Sequence, residues 1–230
     1  MSTVMITGAN RGIGLELVKR YAAAGDRVLA CCRDPSSATS LRELSREHDV
    51  AIHGVHVSDA DSVAALAEQI NGQRIDLLIN NAGTMGPAPD RQSALNMDFE
   101  AWAEAFAVNT MAPVRMMQAF MPNLRLSDAP KVVTITSQLG ALSLDMTVAF
   151  AYSSSRAAVN KFMRLAAIEL RPLGISVGLI HPGWARTDMG GPTAELSAEE
   201  SAAGIYNVVA NLSLKNSGTF WKWNGELHRW

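Results

Sequence analysis

Residues Thr3 to Gly14 read T-V-M-I-T-G-A-N-R-G-I-G, an apolar and β-branched run that leads directly into three glycines. The run Thr3–Thr7 predicts a buried strand, and the periodic segment Gly12–Ala24 predicts a helix. Glycines at such a turn let the main chain approach a phosphate group, whose negative charge is favoured at a helix N-terminus. A glycine-rich turn can also lack a ligand, but its place on the first strand-to-helix connection favours a nucleotide-binding site.

The composition is that of an ordinary globular protein. The 230 residues are 48% hydrophobic and 18% charged, which excludes collagen-like, disordered and coiled-coil chains. The 20 basic and 22 acidic residues give a net charge of −2, so we expect no nucleic-acid partner and no membrane partner. No apolar run reaches the roughly 18 residues of a membrane span, and no signal-peptide pattern precedes the first strand. The two adjacent cysteines, Cys31 and Cys32, fit a reducing compartment. We therefore expect a cytoplasmic protein.

Strand-like and helix-like segments alternate along the whole chain. The predicted strands are Thr3–Thr7, Arg27–Cys32, Val50–Val57, Ile75–Asn80, Lys131–Ser137, Ile175–His181 and a weaker one at Thr219–Trp221. The predicted helices are Gly12–Ala24, Pro35–Glu47, Asp59–Ile70, Phe99–Leu124, Phe150–Leu170 and Ala198–Leu212. This order predicts one α/β domain over residues 1–230, a Rossmann-type, doubly wound parallel sheet of about seven strands with helices on both faces. Ligands bind beyond the carboxyl ends of such strands.

Several motifs follow the predicted strands in a fixed order. They are the G-x-x-x-G-x-G turn of Gly8–Gly14, Asn80-Asn81-Ala82-Gly83, Ser137, Tyr152, and the segment from Pro182-Gly183 to Thr187. Over residues 3–190 this series resembles the short-chain dehydrogenase/reductase family, and within it the C-factor and sniffer-like carbonyl reductases. The resemblance implies an oxidoreductase that moves a hydride between a nicotinamide cofactor and a small-molecule carbonyl or alcohol. It also implies a homodimer or homotetramer.

The resemblance places the cofactor along the glycine turn and the loops after the other strands. The cofactor-binding residues that it implies are Gly8, Asn10, Arg11, Gly12, Ile13, Gly14, Arg33, His56, Val57, Asn81, Ala82, Gly83, Tyr152, Arg156, Pro182, Gly183 and Thr187. NAD-preferring members carry an acid where this chain has the neutral Cys32. Arg11 and Arg33 suit a 2′-phosphate, so we expect NADP(H). Two alternatives remain: both arginines are solvated loop charges, or Asp34 reaches a ribose.

The third predicted strand departs from the family pattern, because His56-Val57 stands where the family usually has Asp-Val. A neutral imidazole can hydrogen-bond or stack, so adenine binding is altered rather than excluded. His53 and His56 are three positions apart and face opposite sides of the predicted strand. We therefore expect no metal site.

Reduction of a carbonyl places negative charge on its oxygen, so the site must supply a proton and hydrogen-bond donors. The resemblance assigns the acid/base role to Tyr152, carbonyl polarisation to Ser137, and support of a proton relay to Asn109. Each residue also has a plain structural interpretation. Tyr152 is then a core tyrosine at a helix start, Ser137 a turn serine and Asn109 a polar cap.

The fourth catalytic position departs from the family, because Arg156 replaces its lysine. The i, i+4 spacing keeps Arg156 on the same helical face as Tyr152. A guanidinium can favour the phenolate form through its charge, but it cannot transfer a proton and is bulkier than an ammonium. Three interpretations follow: an active enzyme, an impaired enzyme, or an NADP(H)-binding signalling or regulatory protein with little turnover. Because Ser137, Tyr152 and Asn109 are all present, we expect reduced but real activity.

The substrate side is less specific. Residues 184–200 include a glycine-bearing segment suited to cover a substrate. Leu139, Met146, Trp184 and Met189 suggest a small apolar or aromatic substrate. These side chains can equally be closing the core.

Overall fold

The computed structural model describes residues 1–230 and contains nine strands. They are β1 Thr3–Thr7, β2 Arg27–Cys32, β3 Val50–Gly54, β4 Leu77–Asn80, β5 Lys131–Ile135, β6 Ser176–His181, β7 Ala185–Arg186, β8 Leu196–Ser197 and β9 Phe220–Lys222. Seven of them form a parallel sheet in the order β3-β2-β1-β4-β5-β6-β9, and β7 pairs with β8. The strand order reverses between β1 and β4, where ligands bind in folds of this type. The expected Rossmann-type, doubly wound sheet is confirmed.

Helices cover both faces of the sheet. They are α1 Gly12–Ala23, α2 Thr39–Glu47, α3 Ala60–Gln69, α4 Phe99–Phe106, α5 Ala112–Ala119, α6 Met121–Leu124, α7 Phe150–Leu170 and α8 Ala198–Ala210. The side chains of α3, α5 and α7 fill one core, and those of α1, α2 and α8 fill the other. Cys31 and Cys32 enter opposite cores, as strand alternation requires. None of these helices combines the length and the hydropathy needed to cross a membrane.

The predicted helix Phe99–Leu124 is wrong as one element. A π-helical turn at Ala107–Met111 follows α4, and Phe120 separates α5 from α6. Pro113 and Pro122 lie in the first turns of α5 and α6, where a missing amide hydrogen is tolerated. The apolar pattern continues through both interruptions and therefore does not reveal them.

Two other boundaries differ by more than two residues. The predicted helix Pro35–Glu47 starts late, because Asp34 accepts a hydrogen bond from the Ser36 amide (2.9 Å) and closes a separate 3₁₀ turn at Pro35–Ser37. The predicted strand Val50–Val57 ends at Gly54, whose register partner Cys32 is the last residue of β2. His56 therefore lies in a loop, and strand alternation does not govern its direction.

Candidate active site

The loops after β1 and β4 are joined by the Thr7 hydroxyl. Thr7 Oγ1 accepts hydrogen bonds from the amides of Asn81 (3.0 Å) and Ala82 (3.1 Å). In return, Asn81 Nδ2 donates to the carbonyls of Thr7 (3.0 Å) and Gly8 (3.1 Å). These bonds hold the glycine turn, residues Gly8–Gly14, against the motif Asn81-Ala82-Gly83. Asn81 thus fixes the wall of the groove through its side chain.

Glycine is required at three positions of the glycine turn, two because of their backbone conformation and one because of a close contact. Gly8 has a φ of 64° and Gly12 a φ of 53°, both in the left-handed region that favours glycine. A Cβ on Gly14 would collide with the carbonyl oxygen of Gly8. No side chain caps the first turn of α1, and no acid lies in that turn. The amide groups at this helix end can therefore bind an anion.

A second group of bonds places Ser137 beside α7. Asn160, on α7, accepts from the Thr136 hydroxyl (2.6 Å) and donates to the carbonyl of Gly140 (3.2 Å). Gly140 lies so close to α7 that a Cβ there would be 2.7 Å from the main-chain carbon of Arg156. Ser137 Oγ accepts from the Leu139 amide (3.2 Å), which leaves its own hydrogen free to donate.

Arg156 is buried beneath Tyr152. The guanidinium carbon lies 5.0 Å from the centroid of the Tyr152 ring, and Nη1 donates to the carbonyl of Ile135 (3.3 Å). The other amino group lies against Gly83, where a Cβ would collide with it. Arg156 is only 3% exposed, and its Nε has no hydrogen-bond partner. The structure therefore brings the predicted residues Gly83, Tyr152 and Arg156 together.

Asn109 is buried in the π-helical turn, and both polar atoms of its side chain form hydrogen bonds. Its Oδ1 accepts from the Thr84 amide (2.9 Å), and its Nδ2 donates to the Thr84 carbonyl (2.8 Å) and to Ser155 Oγ (3.0 Å). The side chain therefore fixes the loop after Gly83 against α7. A relay role for Asn109 remains a prediction, and it would have to use the main chain of this residue.

The segment after β6 forms the opposite wall of the groove. The methyl group of Thr187 packs over Gly12, where a Cβ would lie 3.1 Å from it. Arg11 Nη1 forms an exposed ion pair with Asp188 (2.6 Å). The Ser201 hydroxyl donates to the carbonyl of Pro182 (2.6 Å), and Gly183, with a φ of 80°, packs against an indole ring. We call the space between the glycine turn and residues 182–190 the groove.

The remaining predicted cofactor residues lie at the same edge of the sheet. Arg33 is exposed after β2, while Cys32 is buried. The Asp34 carboxylate accepts from the Ser36 amide and hydroxyl, and these bonds hold the pKa of Asp34 below its ordinary value. His56 is exposed, and the carbonyl of Val57 accepts from Arg115 (3.2 Å). Asn10 and Ile13 are half-buried within the glycine turn.

The apolar residues predicted to lie on the substrate side are mostly exposed. Met146, Trp184 and Met189 are exposed, and Leu139 is half-buried beside Ser137. Trp184 is held in place, because its indole nitrogen donates to the carbonyl of Gly190 (2.8 Å). Residues 184–200 are further tied by the short pair β7 and β8. These side chains do not close the core, so the alternative interpretation is wrong for Met146, Trp184 and Met189.

Sequence reasoning missed three residues that build the site: Thr7, Asn160 and Gln92. Gln92 lies 59 residues before Ala151 and accepts from its amide (3.2 Å). Thr7 ends a strand next to the glycine turn, so its position was a usable signal. Asn160 and Gln92 give no such signal, because their partners are distant in sequence.

The comparisons with known proteins agree with this geometry. The chain matches the sequence profile described as short chain dehydrogenase over residues 2–197. It is 37% identical to C-signal of Myxococcus xanthus over 168 residues, which covers 72% of this chain and 99% of that protein. An NADPH-bound carbonyl reductase from chicken fatty liver superposes with a TM-score of 0.92 at 33% identity, covering 100% of this chain and 99% of the other. The carbonyl reductase Sniffer of D. melanogaster superposes with a TM-score of 0.92 at 26% identity, covering 100% of both chains.

The fold and the site define an oxidoreductase with a parallel nucleotide-binding sheet. The chain belongs to the short-chain dehydrogenase family. The resemblance to this family, and to its C-factor and sniffer-like members, is confirmed.

Proposed function

We propose that the protein is an NADP(H)-dependent carbonyl reductase, or the corresponding alcohol dehydrogenase in the reverse direction. The observation that carries the proposal is the buried guanidinium of Arg156 beneath the ring of Tyr152. In the proposed reaction, this cation would face the negative charge that Tyr152 acquires when it gives up its proton. Burial of a cation that has no ion-pair partner is costly. A tyrosine with only a structural role would not offset that cost.

The residues that line the groove suit a dinucleotide phosphate. The glycine turn brings the main chain close to any ligand, and the uncapped first turn of α1 favours a pyrophosphate. Arg33 is exposed and is free to bind a 2′-phosphate, while Cys32 offers no carboxylate to a ribose. The chicken relative is a carbonyl reductase with NADPH bound. These features together support NADP(H) over NAD(H).

When bound, the cofactor would supply the hydride for the carbonyl carbon. The proton for the carbonyl oxygen would come from the Tyr152 hydroxyl, and the product is the alcohol. Ser137 can donate its free hydrogen to the same oxygen, because its own oxygen already accepts from Leu139. Two donors to one oxygen would stabilise the negative charge that develops there.

Arg156 would favour the phenolate that Tyr152 becomes after giving up its proton. A cation near the ring face is attracted to the electron-rich π system, and more strongly to a ring that carries a negative charge. Since Arg156 stays charged, it cannot pass a proton onward. We therefore propose that turnover is real but slower than with a lysine at this position.

The substrate would be small and apolar or aromatic. Met146, Trp184 and Met189 present exposed apolar surface, and apolar surface favours apolar ligands. We propose that residues 184–200 cover the bound substrate. The hydrogen bond from Trp184 to Gly190 supports a preformed cover.

The test combines cofactor binding with turnover. NADPH binding is followed by fluorescence titration, and reduction of a panel of apolar and aromatic aldehydes and ketones is followed by NADPH consumption. Arg156→Lys is compared with Arg164→Lys, which changes an exposed arginine of the same helix that is stacked over Trp230, 4.8 Å from its ring centroid. We expect turnover by the wild type, faster turnover by Arg156→Lys, and no effect of Arg164→Lys.

Two outcomes would contradict parts of the proposal. NADPH binding without turnover, in the wild type and in Arg156→Lys, would favour the signalling or regulatory alternative. The replacement of the lysine and the relationship to C-signal are the observations behind that alternative. Tighter binding of NADH than of NADPH would overturn the cofactor assignment.

We also propose a cytoplasmic homo-oligomer. Phe162, Leu165 and Ile168 are exposed at three-residue spacing on α7, which creates an apolar stripe that a second copy can cover. Both cysteines are free and buried, as suits a reducing compartment. Light scattering tests the assembly: Leu165→Lys should yield monomers, and Leu95→Lys, at an exposed turn, should not. A wild-type monomer at micromolar concentration would contradict the proposal.

A further inference from the structure

We propose that Gln92 is a positioning residue for Tyr152, which it holds in place by capping the N-terminus of α7 from a separate loop. This inference rests on the proposed function, because it assigns Tyr152 a reacting position. The contact itself is direct: Gln92 Oε1 accepts a hydrogen bond from the Ala151 amide at 3.2 Å. Ala151 immediately precedes Tyr152.

The start of α7 lacks an ordinary cap. The residue at the cap position is Ala149, which has no side-chain acceptor and adopts a φ of 47°. This left-handed conformation is unfavourable for alanine. The first amides of any helix have no partner within the helix. Gln92 therefore supplies, from another part of the chain, an acceptor that the local sequence does not provide.

Gln92 is itself rigidly held. The side chain is 4% exposed, and its Nε2 donates to the carbonyls of Pro87 and Met85. Gly86 packs on the same helix start, because a Cβ there would lie 3.4 Å from the Ala151 methyl group. The carboxamide thus uses its donor and its acceptor at once to join residues 85–92 to the first turn of α7.

This link matters for the reaction because it acts on the residue next to Tyr152. A displacement of about 1 Å in a reacting group can cost on the order of 100-fold in rate. Loss of the link would loosen the first turn of α7 while leaving the groove intact. The expected result is a lower kcat, by about tenfold, with an unchanged dissociation constant for NADPH.

Three variants test the proposal. Gln92→Met keeps the size of the side chain but removes both hydrogen-bonding ends. Gln92→Glu keeps the acceptor, and when protonated it also regains a donor. The matched control is Asn123→Leu, which removes another buried amide whose Nδ2 donates to the carbonyls of Ile70 (2.8 Å) and Gln73 (2.7 Å). Asn123 lies outside the site, so its loss reports stability alone.

The measurements are kcat, NADPH affinity and amide hydrogen exchange, at a temperature where every variant is folded by circular dichroism. We expect Gln92→Met to lower kcat about tenfold and to speed exchange in peptides covering residues 150–154. For Gln92→Glu, kcat relative to wild type should rise as the pH falls. Asn123→Leu should alter neither kcat nor that exchange.

Two results would overturn the inference. The first is that Gln92→Met keeps the kcat and the amide exchange of the wild type. The second is that Asn123→Leu loses as much kcat as Gln92→Met. If the wild type shows no turnover, the proposed function fails instead. The exchange of residues 150–154 then still decides whether Gln92 caps α7.

Discussion

Arg156 lies under the ring of Tyr152, with 5.0 Å between the guanidinium carbon and the ring centroid, and no carboxylate of the chain forms an ion pair with it. A guanidinium in this environment loses most of its hydration. The same side chain therefore opposes stability, and in the proposed reaction it would face the negative charge that Tyr152 acquires when it gives up its proton.

Arg156→Met separates these two effects. Replacement of an unpaired buried charge by an apolar side chain is neutral or stabilising, so the free energy of unfolding should stay equal or rise. Loss of the cation should lower kcat by about 100-fold, which is within the range of acid–base catalysis. Urea unfolding and steady-state kinetics measure both, with Arg164→Met as the control. A variant that loses stability and keeps its kcat would contradict this account.

Arg33→Ala should change cofactor preference. Asp188 already neutralises Arg11, so Arg33 is the less compensated of the two proposed phosphate ligands. A charge-assisted bond to a phosphate is worth about 1.5 kcal/mol or more, so the NADPH dissociation constant should rise about tenfold. NADH binding should not change. Fluorescence titration measures both cofactors, and Arg46→Ala, an exposed change on α2, is the control. Equal weakening of NADH and NADPH would show that Arg33 does not bind the 2′-phosphate.

Thr7→Val tests the junction between β1 and β4. The change keeps the shape of the side chain but leaves the amides of Asn81 and Ala82 without an acceptor. The free energy of unfolding should fall by about 2 kcal/mol, and NADPH should bind more weakly. Thr7→Ser keeps the hydroxyl, so its free energy of unfolding and its affinity for NADPH should be close to those of the wild type.

Thr134→Val is the matched control for Thr7→Val. Thr134 is equally buried, but its hydroxyl oxygen has no partner. Removal of an unsatisfied hydroxyl should be neutral or stabilising. If both valine variants lose the same stability, the Thr7 hydrogen bonds have no special role.

His181 should make stability depend on pH. Burial, together with His228 and Lys222, lowers the pKa of His181 from 6.5 to about 4 in the folded state. Between these values the unfolded chain binds a proton that the folded protein does not, so stability is full above pH 6.5 and falls toward pH 4. The loss from this group should reach about 2 kcal/mol by about pH 5. Urea unfolding should show that, as the pH falls below 6.5, the free energy of unfolding decreases less in His181→Leu than in the wild type.

The sheet could be predicted because its signals are local. Each strand from β1 to β6 is an apolar run ended by a turn, and its neighbours do not alter that pattern. Tyr152, Ser137 and the glycine turn are predicted from local signals as well, since each belongs to a short motif. The contact between Gln92 and Ala151 spans 59 residues and has no local signal. The π-helical turn at Ala107–Met111 is hidden as well, because its apolar spacing resembles that of an α-helix.

The ion pair between Arg11 and Asp188 joins residues 177 positions apart. One wall of the groove is therefore synthesised near the start of the chain and the other near its end. On the ribosome, the glycine turn emerges long before Thr187 exists to pack over Gly12. A nascent or truncated chain that stops before residue 187 lacks the contacts of Thr187 and Asp188 with the glycine turn. Retention on an immobilised nucleotide would therefore select complete molecules over translation fragments.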